Sequence, residues 1–195
     1  MLAAATAEPA LVSLTAGSES LAYAKMSTVE VARLGVDFGR VINDAGADPS
    51  VDDTSFLSGS EEDMLATPQT AGAFESLRHL VPLFDGQVWV ISKAGPRVQA
   101  KTERWLAHHD FYASTGIGAD HIRFVRQRAD KAAVCRELGI THFVDDRADV
   151  LEHLVGVVTH LYLFGRQTLS TPSHLVAVPT WEIAEQSIRE TVAGG

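Results

Sequence analysis

The chain contains one cysteine in 195 residues, Cys135. That excludes an internal disulfide and fits a reducing compartment, the cytoplasm. Set in KAAVCRELG, it reads as a small apolar residue on the buried side of a helix. Positive charge is scarce as well: 16 lysines and arginines stand against 25 aspartates and glutamates, for a net charge of −9. No long-range field therefore draws the chain to a nucleic acid polymer or an anionic membrane. No apolar run approaches the roughly 18 residues that span a bilayer. The first 25 residues lack both a basic start and a sustained apolar core, so a signal peptide is not expected. Residues 1–28 read as a disordered extension or, because Met26 opens a segment running straight into the first strand, as an upstream start-codon assignment. The eight histidines show no metal-type spacing, and the adjacent His108 and His109 point to different faces of a helix. There is no internal repeat.

What is present is 46% hydrophobic content, enough for one substantial core. Residues 29–195 read as a single domain with a small insertion. Short apolar runs alternate with helical patterns, the rhythm of a parallel sheet with helices on its faces. VARLGVDF (31–38), GQVWVIS (86–92), IRFV (122–125), THFVD (141–145) and THLYLF (159–164) read as strands. Thr67-Pro68 has N-cap and first-turn chemistry, so a helix is predicted from there with Ala71, Phe74, Leu77, Leu80 and Val81 at helical spacing. Gly95-Pro96 opens another, with Val98, Thr102, Trp105 and Leu106 on one face. DKAAVCREL (130–138) stops at Gly139, and WEIAEQSIRETV (181–192) reads as a surface helix. Trp89, Trp105 and Trp181 fall on packing faces. Residues 43–66 are acidic, rich in Gly, Ser and Asp, and almost without periodicity, which predicts a long solvated loop or a very small cap.

In parallel α/β sheets, functional residues gather at the carboxyl ends of the strands. Here those ends are polar: Asp37 after the first strand, Ser92-Lys93 after the second, Asp145-Asp146-Arg147 after the fourth. Lys131 starts the helix before that fourth strand. Carboxylate oxygens suit Mg²⁺, which accepts one or two protein carboxylates together with substrate phosphate oxygens. Lys131, Ser92 and backbone amides after the first strand supply the positive charge and donors that a phosphoryl group needs.

Asp37-Phe38-Gly39 shares its letters with the Asp-Phe-Gly of protein kinases, but no Gly-rich loop, strand lysine or His-Arg-Asp loop precedes it. The ordered set VDFGRVI, VWVISKAG, the lysine of RADKAAV and FVDDRADVL instead resembles the haloacid dehalogenase-like (HAD-like) hydrolase superfamily. Its pattern is a strand ending in Asp-x-Asp-Gly-Thr/Val, a strand ending in Ser or Thr, a lysine, and a strand ending in paired acids. The resemblance covers roughly residues 31–165, and DDRADVLEHL is more weakly similar to the 5′(3′)-deoxyribonucleotidase branch. It implies a Rossmann-like three-layer α/β fold with a parallel sheet and a minimal or absent cap. It further implies that Asp37 is the nucleophile, forming an aspartyl-phosphate and holding Mg²⁺. Ser92 then bonds a phosphoryl oxygen, Lys131 balances charge, and Asp145 and Asp146 complete the metal site directly or through water. Arg40 and Lys93 are placed to reach a substrate anion, Arg40 being equally readable as a solvent-facing turn residue.

The departure is Gly39. The family's phosphatases carry a second aspartate there, which protonates the leaving alkoxide and then activates water. Glycine keeps only the backbone carbonyl that the family offers to the metal. Such general acid–base help is worth roughly 10² to 10⁴ in rate. Two functions follow: a Mg²⁺-dependent phosphatase-type hydrolase working without this acid, or a catalytically silent relative that binds a phosphorylated ligand or a protein partner. The ligand is expected to be a phosphorylated small molecule or macromolecule. A missing cap leaves the site open to a large substrate, a partner, or a cap from another subunit, and the sequence does not fix the oligomeric state.

Overall fold

A computed structural model describes residues 31–44, 56–57, 59–167 and 169–194. The extension expected over 1–28, and residues 45–55 and 58 of the expected insertion, lie outside them. Six strands form one parallel sheet: β1 (Leu34–Val36), β2 (Val88–Lys93), β3 (Ile122–Val125), β4 (His142–Asp145), β5 (His160–Phe164) and β6 (Val176–Val178). Their order is β3-β2-β1-β4-β5-β6, so the chain reverses its direction of winding at β1. The helices are α1 (Glu61–Ala66), α2 (Ala73–Leu83), α3 (Pro96–His108), α4 (Phe111–Thr115), α5 (Lys131–Leu138), α6 (Ala148–Glu152) and α7 (Trp181–Ala193).

Strand side chains alternate between faces, and here both faces are covered. Leu34, Val36, Val88, Val90, Val144, Tyr162 and Phe164 enter one core with α2, α3, α4 and α7. Trp89, Ile91, Phe143, Leu161 and Leu163 enter the other with α5 and α6. Two-sided burial explains why the strands read as continuous apolar runs. Gly35 is part of the second face: a Cβ there would stand 2.5 Å from the Phe143 ring, so glycine is what lets that ring lie across β1.

Several elements differ from the sequence reading. The first strand contracts to Leu34–Val36 because the chain turns immediately after Asp37, whose N–H makes a last ladder bond to the Val144 carbonyl at 2.9 Å. The helix expected from Thr67-Pro68 starts only at Ala73, after Gly72 in the left-handed region. Thr67 instead closes α1, which occupies part of the expected loop. Ser60 and Asp63 cap one another's backbone at its start, and the buried Met64 ties it to the core. Pro68 to Thr70 then run beside the site turn, where Asp44 N–H bonds the Pro68 carbonyl and Thr70 N–H the Ile42 carbonyl, each at 2.8 Å. β6 was not foreseen; three residues are too few to show a period. The Gly139 stop holds, with φ 64°, and α3 begins at Pro96 as expected. All three tryptophans are buried. Trp105 and Trp181 also donate their indole N–H to the carbonyls of Thr67 (2.8 Å) and Val41 (2.7 Å). Among the described residues no helix is long and apolar enough to cross a membrane.

Candidate active site

The crevice at the reversal of strand order, above the carboxyl ends of β1 and β4, is the favoured ligand site of this architecture. A cavity of about 240 Å³ opens there. Asp37 leaves β1 into a tight turn pinned by the core: Phe38 packs on Trp105 (centroids 5.3 Å) and on Phe56 (5.6 Å). Ile42 and Asn43 both donate their N–H to the Phe38 carbonyl. Asp145 is the last residue of β4, Ser92 and Lys93 the last of β2, and Lys131 the first of α5. All of these, with Gly39, Arg40 and Asp146, line the one cavity.

Lys131 is its centre. Only 1% exposed, its Nζ donates to Asp37 Oδ1 at 2.7 Å and to Asp145 Oδ2 at 2.8 Å, while the Phe143 ring lies 5.4 Å beneath. Burial works against its charge, but Asp145 and Asp37 outweigh that and hold the ammonium above its usual range. Asp145 is fully buried, and its Oδ1 accepts the Arg147 backbone N–H at 3.0 Å. Asp146 Oδ2 faces Arg40 at 3.4 Å. Carboxylate oxygens of Asp37, Asp145 and Asp146 all lie within 4.8 Å of one another. Burial first, then repulsion from Asp37, pushes Asp146 up to about 6, the nearby Arg40 only partly offsetting it. Burial likewise pushes Asp145 upward against the pull of Lys131. Three converging carboxylates share one lysine and one arginine, and the surplus negative charge is what a hard divalent cation neutralises. The donor set is all oxygen, as Mg²⁺ prefers.

Ser92 is buried at the cavity wall, one strand from Asp37. It lies within β2 and does not cap α3, where Gly95 holds the N-cap position. Lys93 is exposed at the rim. Arg40 has φ 58°, a left-handed conformation that favours glycine, the residue the HAD-like pattern has there. Gly39 has no such need: a Cβ built on it meets nothing within 4 Å.

Two contributors, Arg128 and Lys101, were not singled out from the sequence. Arg128 lines the cavity, as does Arg147, named with Asp145 and Asp146 at the end of the fourth strand but given no role there. Lys101, buried on α3, donates from Nζ to the carbonyls of Phe56 (3.0 Å) and Leu57 (2.8 Å), fixing two residues of the insertion as a wall of the cavity. A lysine on the apolar face of α3, one residue before Thr102, was its only sequence signal. Adjacent His108 and His109 take no part. His109 Nε2 donates to the Leu65 carbonyl, 2.9 Å away, and the ring lies against Trp105.

No family model matches the chain, and no curated protein does. Among solved structures it is similar to a haloacid dehalogenase-like family hydrolase from Xanthomonas campestris. The TM-score is 0.53 at 14% identity, covering 85% of this chain and 98% of that one. At that identity the likeness is one of fold: the chain has the Rossmann-like, all-parallel α/β architecture of a HAD-like hydrolase.

Proposed function

We propose that the chain is a HAD-like hydrolase acting on phosphate esters through Asp37 with Mg²⁺, in the cytoplasm, with residues 29–195 working as one domain. The observation that carries this reading is the buried Lys131 bridging Asp37 and Asp145. A lysine is removed from water at considerable cost, and here it fixes one oxygen of a carboxylate that otherwise faces the cavity. Asp37 Oδ2, Asp146 and the Gly39 carbonyl would hold Mg²⁺. Asp145, with both oxygens already accepting protein N–H groups, would act from behind. The ion would supply charge neutralisation at the phosphoryl oxygens and at the nucleophile.

In the proposed reaction Asp37 attacks phosphorus through a carboxylate oxygen, the P–O bond to the leaving group breaks, and an aspartyl-phosphate forms. Ser92 donates to a phosphoryl oxygen, and Lys131 screens the repulsion between Asp37 and the incoming dianion. Among the described residues no histidine lines the cavity, and the carboxylates that do are Asp37, Asp145 and Asp146. The leaving group therefore departs without a proton from Gly39's position, which favours aryl and acyl phosphates. The similarity of DDRADVLEHL to the deoxyribonucleotidase branch adds nucleoside monophosphates to the substrates worth assaying. The same gap supports the second reading, a silent protein that binds a phosphorylated ligand or a protein partner.

Mg²⁺-dependent hydrolysis of p-nitrophenyl phosphate separates the two. Turnover in the native chain that vanishes in Asp37→Asn is expected; none in either, with Mg²⁺ still binding, would establish the silent protein. Because the space at Gly39 is open, Gly39→Asp should raise the rate on alkyl phosphates by about 10² to 10⁴. An unchanged rate there would refute the proposed placing of the substrate.

A further inference from the structure

We propose that the cavity recognises a second anionic group on its ligand through Lys93 and Arg128. The substrate class is then a small phosphorylated compound that also bears a carboxylate or a further phosphate. The inference rests on the reading of Asp37 as the phosphoryl site. The chain carries 16 basic residues and a net charge of −9, yet five of those residues line this one cavity. Three are committed to acidic partners: Lys131 to Asp37 and Asp145, Arg40 to Asp146, and Arg147 to Asp149 through two hydrogen bonds of 2.9 and 3.1 Å. Lys93 and Arg128 form no ion pair with any described residue; Arg128 contributes only a field at Asp149, which Arg147 already holds.

Their placement gives the cavity a direction. Lys93 ends β2 and pairs in register with Val125, the end of β3, and Arg128 follows three residues later. Both thus stand over β2 and β3, on one side of Asp37, whereas Asp145 and Asp146 stand over β4 on the other. A ligand whose phosphoryl group sits at Asp37 and extends away from the acids meets these two cations. The same lining includes apolar Phe38, Phe56, Leu57 and Val98, surface suited to a short hydrocarbon spacer. The cavity's 240 Å³ falls below the ~300–1,000 Å³ of sites for drug-sized ligands, which limits the spacer to a few carbons.

Calorimetric titration of the full chain in Mg²⁺ with four probes tests this: inorganic phosphate, propyl phosphate, 3-(phosphonooxy)propanoate and propane-1,3-diol bisphosphate. At least one two-anion probe should bind about tenfold or more tightly than propyl phosphate, the scale of one charge-assisted contact. Which of the two gains more identifies the second group as carboxylate or phosphate. In the double variant Lys93→Gln, Arg128→Gln that ratio should collapse toward one. Equal affinities for the three organic probes, or a ratio that survives the double variant, would overturn the proposal while phosphate binding keeps the phosphoryl site. If inorganic phosphate and all three esters fail to bind, the phosphoryl-site reading itself falls, and the second-anion site with it.

Discussion

Lys131 is the residue on which the candidate site turns. Read singly it is a polar residue at a helix start, and solvation is the default for such a lysine. Its burial is legible only from the company it keeps, since Asp37 lies 94 residues away and Asp145 lies 14 away. Family order, not local pattern, gave Lys131 its charge-balancing role, and its burial is what the structure adds. Removing one partner of a buried ionic cluster leaves the others uncompensated, at about 3–5 kcal/mol. Lys131→Met should accordingly lose stability on that scale in urea titration at pH 8. The loss should shrink at pH 5, where the abandoned Asp145 carboxyl, which burial already pushes upward, takes up a proton; a cost below ~1 kcal/mol at pH 8 would mean that the bridge is not a structural tie. Arg128 and Lys101 were not legible in the same way: Arg128 opens RADKAAV, of which only the lysine carries a role in the family pattern, and Lys101 belongs to no motif. Each is assigned by contacts or cavity walls that only the folded chain assembles.

Elements were legible where sequence and burial agree, and lost where two signals competed. Gly139 and Gly95-Pro96 mark ends that no neighbouring segment contests. Thr67-Pro68 looks like a helix start, but Ser60-x-x-Asp63 with its run of acids is a start as well, and the earlier helix consumes Thr67 as its end. One element contact yields a pH dependence. On β4, His142 is buried against His160 and Phe84 and reaches Thr191 of α7 at 3.2 Å. Burial, then the charge of His160, lowers it from 6.5 to about 4. Above pH 6.5 the ring is neutral in both folded and unfolded chains and contributes nothing to pH dependence. Between 6.5 and 4 only the unfolded chain takes the proton, so stability falls with pH across that window. Chemical denaturation at pH 7.5 and 4.5 should show a larger acid loss in the native chain than in His142→Gln. Equal losses would assign the acid sensitivity elsewhere; the raised Asp145 and Asp146 pull in the opposite sense and are common to both proteins.

At the scale of the whole described domain, two cores share one sheet, and Cys135 reports on the second. It is fully buried, and burial pushes its thiol up to about 12, further than nearby Lys131 pulls it down. Thiol reagents at pH 8 should therefore modify it only as the domain opens, with a rate that rises across the urea transition. Rapid stoichiometric labelling of the native chain would show the α5 face to be loose. The parallel sheet follows from the rhythm of apolar runs and helices, since such a chain has few other ways to bury both; its strand order, with the reversal at β1, does not, because that rhythm is the same for every doubly wound order. The open space beside Gly39 also bears on ancestry. Two of the glycine codons lie one nucleotide from those of aspartate, and a Cβ at this position meets no described neighbour within 4 Å. If the proposed function holds, gain of an acid at this position is then a single substitution that leaves the core packing as it is, and one scaffold could serve as enzyme or as receptor.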